Sequence, residues 1–143
     1  MADITVTAAN VRPLEGAVVR RGTAGGSGSV GDLVYQASDG DWEQADADVS
    51  ASSQARGVVV GVNGQAGATA FVSGDRLDIV RWGPVAWGAS MTIPGRVYVS
   101  TTAGKGDQTA PASAGDFPFI VGYAEAANVL FVEPQSSVPV VNS

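Results

Sequence analysis

The sequence predicts an all-β domain, and two observations carry that reading. Short runs rich in β-branched and aromatic residues recur from end to end, each closed by Gly, Asp, Asn or Pro and each too short for a helix. The chain also contains no histidine and no cysteine. The commonest general base, the commonest zinc ligands and the thiolate nucleophile are therefore all missing. The expectation is a structural or binding protein, not an enzyme, with no cofactor and no metal.

The elements follow in order. Ile4-Thr5-Val6-Thr7 alternates apolar and polar before Arg12-Pro13 breaks it, so residues 1–14 are read as an N-terminal arm or an edge strand. A strand follows at Ala17 to Arg20, and Gly22 to Gly31 is a surface loop by composition. Leu33-Val34-Tyr35, the turn Ser38-Asp39-Gly40-Asp41 and the return at Trp42 make a hairpin. Asp46 to Arg56 is small and polar, fit for one short helix or an irregular crossover. Gly57 to Val60 returns to strand, and Asn63-Gly64 signals a turn. Arg76 to Val80 is apolar on both faces and so central, with Gly83-Pro84 expected to end it and Val85 to Trp87 to follow separately. Arg96 to Val99, Phe119 to Val121 and Val129 to Val132 complete the set, with Ala126-Ala127-Asn128 as the last turn. The β domain spans 15–134, and 135–143 is expected to be a flexible tail, having two prolines just inside and before it and no pattern.

A chain of 143 residues makes one domain that buries roughly two thirds of its unfolded surface, and needs no disulfide or metal to fold. Charged residues are 15% against 45% hydrophobic, which suggests that a partner covers part of the surface. A net charge of -6, with the eight basic residues scattered and Lys105 the only lysine, argues against nucleic acid and against an anionic membrane surface. The Met1-Ala2-Asp3 start carries no basic or apolar leader and no apolar run approaches a membrane span, so the expected place of assembly is a cytoplasm.

Four motifs have plain structural readings. Gly26-Ser27-Gly28-Ser29-Val30-Gly31 matches G-x-G-x-x-G, but a strand follows where dinucleotide binding needs a helix N-terminus, so it is read as a mobile loop. Asp39, Asp41, Glu43, Asp46 and Asp48 do not fit a calcium loop and are read as solvated turns. Asp75 and Asp78 stand on opposite faces of a strand, unsuited to a glycosidase pair. Among the aromatic residues Trp42, Trp82, Trp87, Tyr35, Tyr98 and Tyr123, Trp82 is expected in the core and Trp87 is the best candidate for an exposed interface anchor.

Val11 to Arg21, Val30 to Tyr35, Ala55 to Val59, Gly74 to Val80, Gly83-Pro84-Val85, Pro94 to Ser100, Ala103-Gly104 and Ile120 to Ala124, taken in their order, resemble the decoration, or head cement, proteins of tailed bacteriophages. The resemblance runs from about Ile4 to Pro134. It implies a small β-barrel-like or tulip-like domain that forms a homotrimer on the outer surface of the virion capsid. There it would stabilise the expanded head by clamping neighbouring copies of the phage major capsid protein. Under that expectation Ile4, Thr5, Val6, Thr7, Val11 and Arg12 contact the capsid by strand addition. A tail or baseplate adaptor and a carbohydrate-binding module are the alternatives.

Overall fold

Strand β8 (Arg76–Ala86) is the spine of an all-β fold. The computed structural model describes residues 3–67 and 69–143. Preceding β8 are β1 (Arg12–Pro13), β2 (Val18–Thr23), β3 (Gly28–Ser29), β4 (Leu33–Gln36), β5 (Trp42–Gln44), β6 (Gly57–Val62) and β7 (Ala70–Phe71). After it come β9 (Arg96–Val99), β10 (Gly106–Asp107), β11 (Ile120–Ala126) and β12 (Val129–Val132). Helical structure is limited to a 3₁₀ turn, Ala8–Asn10, and the short helix α1 (Ser50–Ser53).

Three of the expected hairpins form as the turn chemistry dictates. Gly40 closes the β4–β5 turn at φ +92°, with Gln36 opposite Trp42. Asn63 and Gly64 both adopt positive φ, 49° and 82°, the signature of a type I′ turn. Ala126 pairs Val129, leaving Ala127-Asn128 as the two-residue connection of β11 and β12.

The sheet divides along β8. β1 and β2 follow one another along it, from Arg12 opposite Ala86 to Thr23 opposite Arg76. Over its first half β8 also pairs β6, with Val59 opposite Ile79. Over its second half it pairs β12, with Val132 opposite Gly83. One wing therefore runs β8-β6-β4-β5 and the other β8-β12-β11-β9-β10. The strand expected to end at Gly83-Pro84 instead continues to Ala86: Gly83 turns at φ +104°, a conformation open to glycine, and Pro84 needs no donor there.

The two wings curl towards each other into an incomplete barrel, and the loop before β10 joins their free ends. Leu33 N–H donates to the Gly104 carbonyl (2.9 Å), Gly104 N–H to Ala45 (2.8 Å), and Ala47 N–H to Ser100 (3.0 Å). Inside lie Leu33, Val58, Leu77, Val85, Val97, Phe119, Val121 and Leu130, all fully buried. Asp32, only 3% exposed, sits at this closure. Its carboxylate accepts from Ser29 N–H (3.0 Å) and Gln44 Nε2 (2.7 Å). A Cβ on Gly104 would come within 2.8 Å of the Asp32 carboxyl carbon, so only glycine lets the loop close over it.

The terminal segments differ from expectation. Met1 and Ala2, the start of the segment read as an arm, lie outside the described residues. From Ile4 onward the segment packs against its own domain, as described below. The tail expected to be flexible is tied back: Asn142 Nδ2 donates to the Pro111 carbonyl (2.8 Å) and Asn142 N–H to Asp116 (2.8 Å). Asparagine satisfies main-chain groups on both sides of the loop at once, a role that composition alone does not reveal.

Two predictions follow from the spine and the closure. Replacing Gly83 by Ala forces a Cβ to 2.9 Å from Ala17 Cα at positive φ. It should lower the unfolding free energy by about 1–3 kcal/mol in urea titrations. Gly40→Ala, at an exposed turn with open space around its Cβ, should cost less. Burial raises the Asp32 pKa above its ordinary value of 3.8, against the lowering effects of Gln44, Ser29 N–H and Lys105. The folded chain then holds this proton more tightly than the unfolded one. Its stabilising contribution is full below pH 3.8 and is lost as pH rises through the folded-state value. The wild-type advantage over Asp32→Asn should therefore shrink across that window in unfolding titrations at stepped pH.

Candidate functional site

The alternation of β8 decides which aromatic rings reach the surface. Trp82, expected in the core, is 45% exposed. Next to it Arg81 points the other way, over the Trp42 ring at 4.9 Å. The apolar reading of this strand holds at Leu77, Ile79 and Val80, which β2 and β6 flank, and lapses at Trp82, where β6 gives way to β12.

On that outer face three rings from adjacent strands meet. Trp82 packs edge-on to Phe131 of β12, with centroids 4.9 Å apart and planes at 82°. Phe131 stacks on Tyr123 of β11 at 5.3 Å and 23°. The register explains the contact: Phe131 is paired with Tyr123 on one side and Pro84 on the other. Val18 of β2 lies opposite Trp82 and extends the apolar surface at 44% exposure. Cross-strand aromatic pairs stabilise a sheet by about 0.5–1.5 kcal/mol beyond their buried area, but these leave ring surface in water. Trp82, Val18 and Tyr123 thus leave apolar surface open to water on this one face.

Trp87, nominated as an exposed anchor, is core instead. It is 3% exposed and its Nε1–H donates to the buried Gly31 carbonyl at 2.7 Å. Its ring fills the space that glycine leaves at 106, where a Cβ would approach it to 2.9 Å. The position after a proline and between small residues suggested exposure; a long-range hydrogen bond across the fold settles it the other way.

The nominated N-terminal residues divide by side. Ile4 N–H donates to the Gly106 carbonyl (2.8 Å), and Val6 forms a single antiparallel bridge with Gly88. Both side chains are half-buried against the core, and Val11 is fully buried. These apolar groups are spent within the domain. Thr5, Thr7 and Arg12 remain exposed and, with Trp87 at its base, line a shallow groove of ≈ 350 Å³.

The acidic residues serve turns. Asp39 accepts from Asp41 N–H and Asp46 from Asp48 N–H, each at 3.0 Å. Asp75 accepts from Val72 N–H and Asn63, which lower its pKa, while Asp78 faces Arg21 at 3.9 Å. No group of three or more potential metal ligands gathers among the described residues. Among the described residues no helix is long and apolar enough to cross a membrane. The glycine-rich segment is not a free loop: Gly28-Ser29 pairs Phe71-Ala70, and β4 follows it.

No protein-family model matches this chain, and no curated protein matches it.

The docked N-terminus and Trp87 give a direct check. Removing residues 1–10 should lower the melting midpoint, because Ile4 and Val6 leave the core edge. Trp87→Phe should cost about 1–3 kcal/mol by stranding the Gly31 carbonyl. Trp82→Ser should cost less in the same thermal and urea measurements, its ring being largely solvated.

Proposed function

We propose that this chain is a structural virion protein that binds the outer surface of a phage capsid and stabilises the expanded head by clamping neighbouring major capsid subunits. The observation that carries the reading is the exposed cluster of Trp82, Phe131 and Tyr123 beside Val18. It supplies the large apolar contact such a clamp needs. The low charge of the chain as a whole supports it further, since a surface poor in ionic groups costs less to desolvate. The order of elements resembling head cement proteins supplies the identity of the partner.

In this proposal the aromatic face takes over the role assigned to the arm. Strand addition by residues 4–7 would require Ile4 and Val6 to leave their own core, whereas the aromatic face is already presented. A homotrimer repeats one heterologous contact three times and closes, so each contact can be modest.

A carbohydrate-binding reading also draws on exposed rings. The geometry favours protein: Trp82 stands at 82° to Phe131, so the three rings do not make one flat platform for a sugar face.

The test is co-sedimentation with expanded capsids. Wild type should pellet with them, and Trp82→Ser and Tyr123→Ser should lose most binding while keeping their melting transitions. Binding unchanged in both variants overturns the aromatic clamp, as does failure of the wild type to sediment. Light scattering should give the mass of three chains; the mass of one chain, with isolated density on the capsid, removes the trimer.

A further inference from the structure

The opposite face of β8 gathers positive charge without a counterion. Arg81 lies over Trp42 at 4.9 Å, and Arg56, just before β6, lies over Phe119 at 5.4 Å. Arg56 Nη1 donates to the Gln135 carbonyl at 3.3 Å, which fixes it further. Together with Gln36, Ser38, Ala51 and Gln54 they line a pocket of ≈ 410 Å³ that includes no acidic residue. The Arg81 side chain is half-buried and makes no hydrogen bond or ion pair among the described residues, where the ion pair present joins Arg21 and Asp78. Burial, then the charges of Arg20 and Arg56, lower its pKa from the ordinary value.

Such an arrangement is costly unless something offsets it. Two guanidinium groups held by aromatic rings, in a chain of net charge -6, have their planar forks positioned in advance. A carboxylate matches that fork with two parallel N–H···O bonds. Gln54 spends one amide N–H on the Ser50 carbonyl and Gln36 one on Gly40, leaving each a second donor. The chain's net charge of -6 gives no long-range attraction for a nucleic-acid backbone, so the contact rests on the short-range fork inside the pocket, which suits a carboxylate. We propose that this pocket is a docking site for a carboxylate side chain of an acidic protein segment, gripped by Arg81 and braced by Arg56. The site lies apart from the aromatic face and stands whether or not that face binds a capsid.

A hexaglutamate peptide is the probe, titrated into the full chain by calorimetry at low salt, with tryptophan fluorescence reporting Trp42 beneath Arg81. Saturable binding is expected, weakened by added salt through screening. Arg81→Gln and Arg56→Gln should each weaken it by about tenfold or more, the loss of one charge-assisted contact. Arg76→Gln, away from the pocket, should leave it unchanged. Should Arg81→Gln melt early, Arg81→Lys keeps the charge over Trp42 but loses the fork, and should still bind several-fold more weakly. Light scattering distinguishes the sources of the carboxylate. Peptide binding with an oligomeric state that Arg81→Gln leaves unchanged is expected for a segment of another protein, whereas self-association at low salt that Arg81→Gln abolishes would make a second copy the donor and overturn that assignment. No binding by wild type, equal binding by Arg81→Gln, or tighter binding of inorganic phosphate than of the peptide would overturn the proposal.

Discussion

Strand β8 has different partners along its two halves, and the rest of the molecule depends on that division. A strand in an ordinary sheet keeps one neighbour on each side. Here β1 and β2 occupy one side in succession, while β6 holds residues up to Val80 and β12 those from Gly83. The wings can separate because Gly83 accepts φ +104° and packs against Ala17 Cα where no Cβ would fit. Once parted they must curl to bury Leu77, Val85 and Leu130, and the curl brings Gly104 to Leu33 and Ala45. The closure over Asp32 is thus a consequence of a backbone choice made on the other side of the barrel.

The same division creates the surface features. Below the fork β2 and β6 flank β8, and Leu77, Ile79 and Val80 are fully buried. At the fork that cover is lost on one face, and Trp82 emerges between β2 and β12 beside Val18 and Phe131. On the other face Arg81 is left over Trp42 with no carboxylate opposite it. Consecutive residues of one strand therefore present an aromatic ring outward and a guanidinium into a polar pocket, as the period of two requires.

Much of the fold is legible in the sequence, because turn chemistry is local. Asn63-Gly64 and Ser38-Asp39-Gly40-Asp41 specify their turns through φ values that few other residues accept. The short helix, Ser50–Ser53, falls inside the small polar stretch from Asp46 to Arg56. What the sequence conceals is set by contacts distant along the chain. Gly83-Pro84 reads as a stop because the local rule is sound for a strand with uniform neighbours; the change of partner from β6 to β12 makes it a hinge within one strand. Trp82 and Trp87 exchange their expected roles for the same reason. The hydrogen bond from Trp87 to Gly31 spans 56 residues and leaves no local trace. The aromatic face was visible only as separate members, since Tyr123, Phe131 and Trp82 become neighbours through register alone.

The docked N-terminus bears on how any partner is gripped. Over residues 4–10 its main-chain ties to the rest of the domain are sparse, one from Ile4 N–H to Gly106 and one bridge at Val6, before Arg12-Pro13 pair Ala86-Val85 and Leu14 N–H donates to the Pro84 carbonyl. The side chains add to these: Ile4 and Val6 pack on the core and Val11 is fully buried. Burial of such side chains stabilises by about 1.5–3 kcal/mol each when complete, and proportionately less for the half-buried pair. Donating this segment to another sheet would forfeit that packing before any new pocket returned it. The aromatic face carries no such cost, because its rings are already ordered by one another and bury nothing that must first be exposed. A preorganised surface gains more net affinity from the same apolar area than a segment that must first be released.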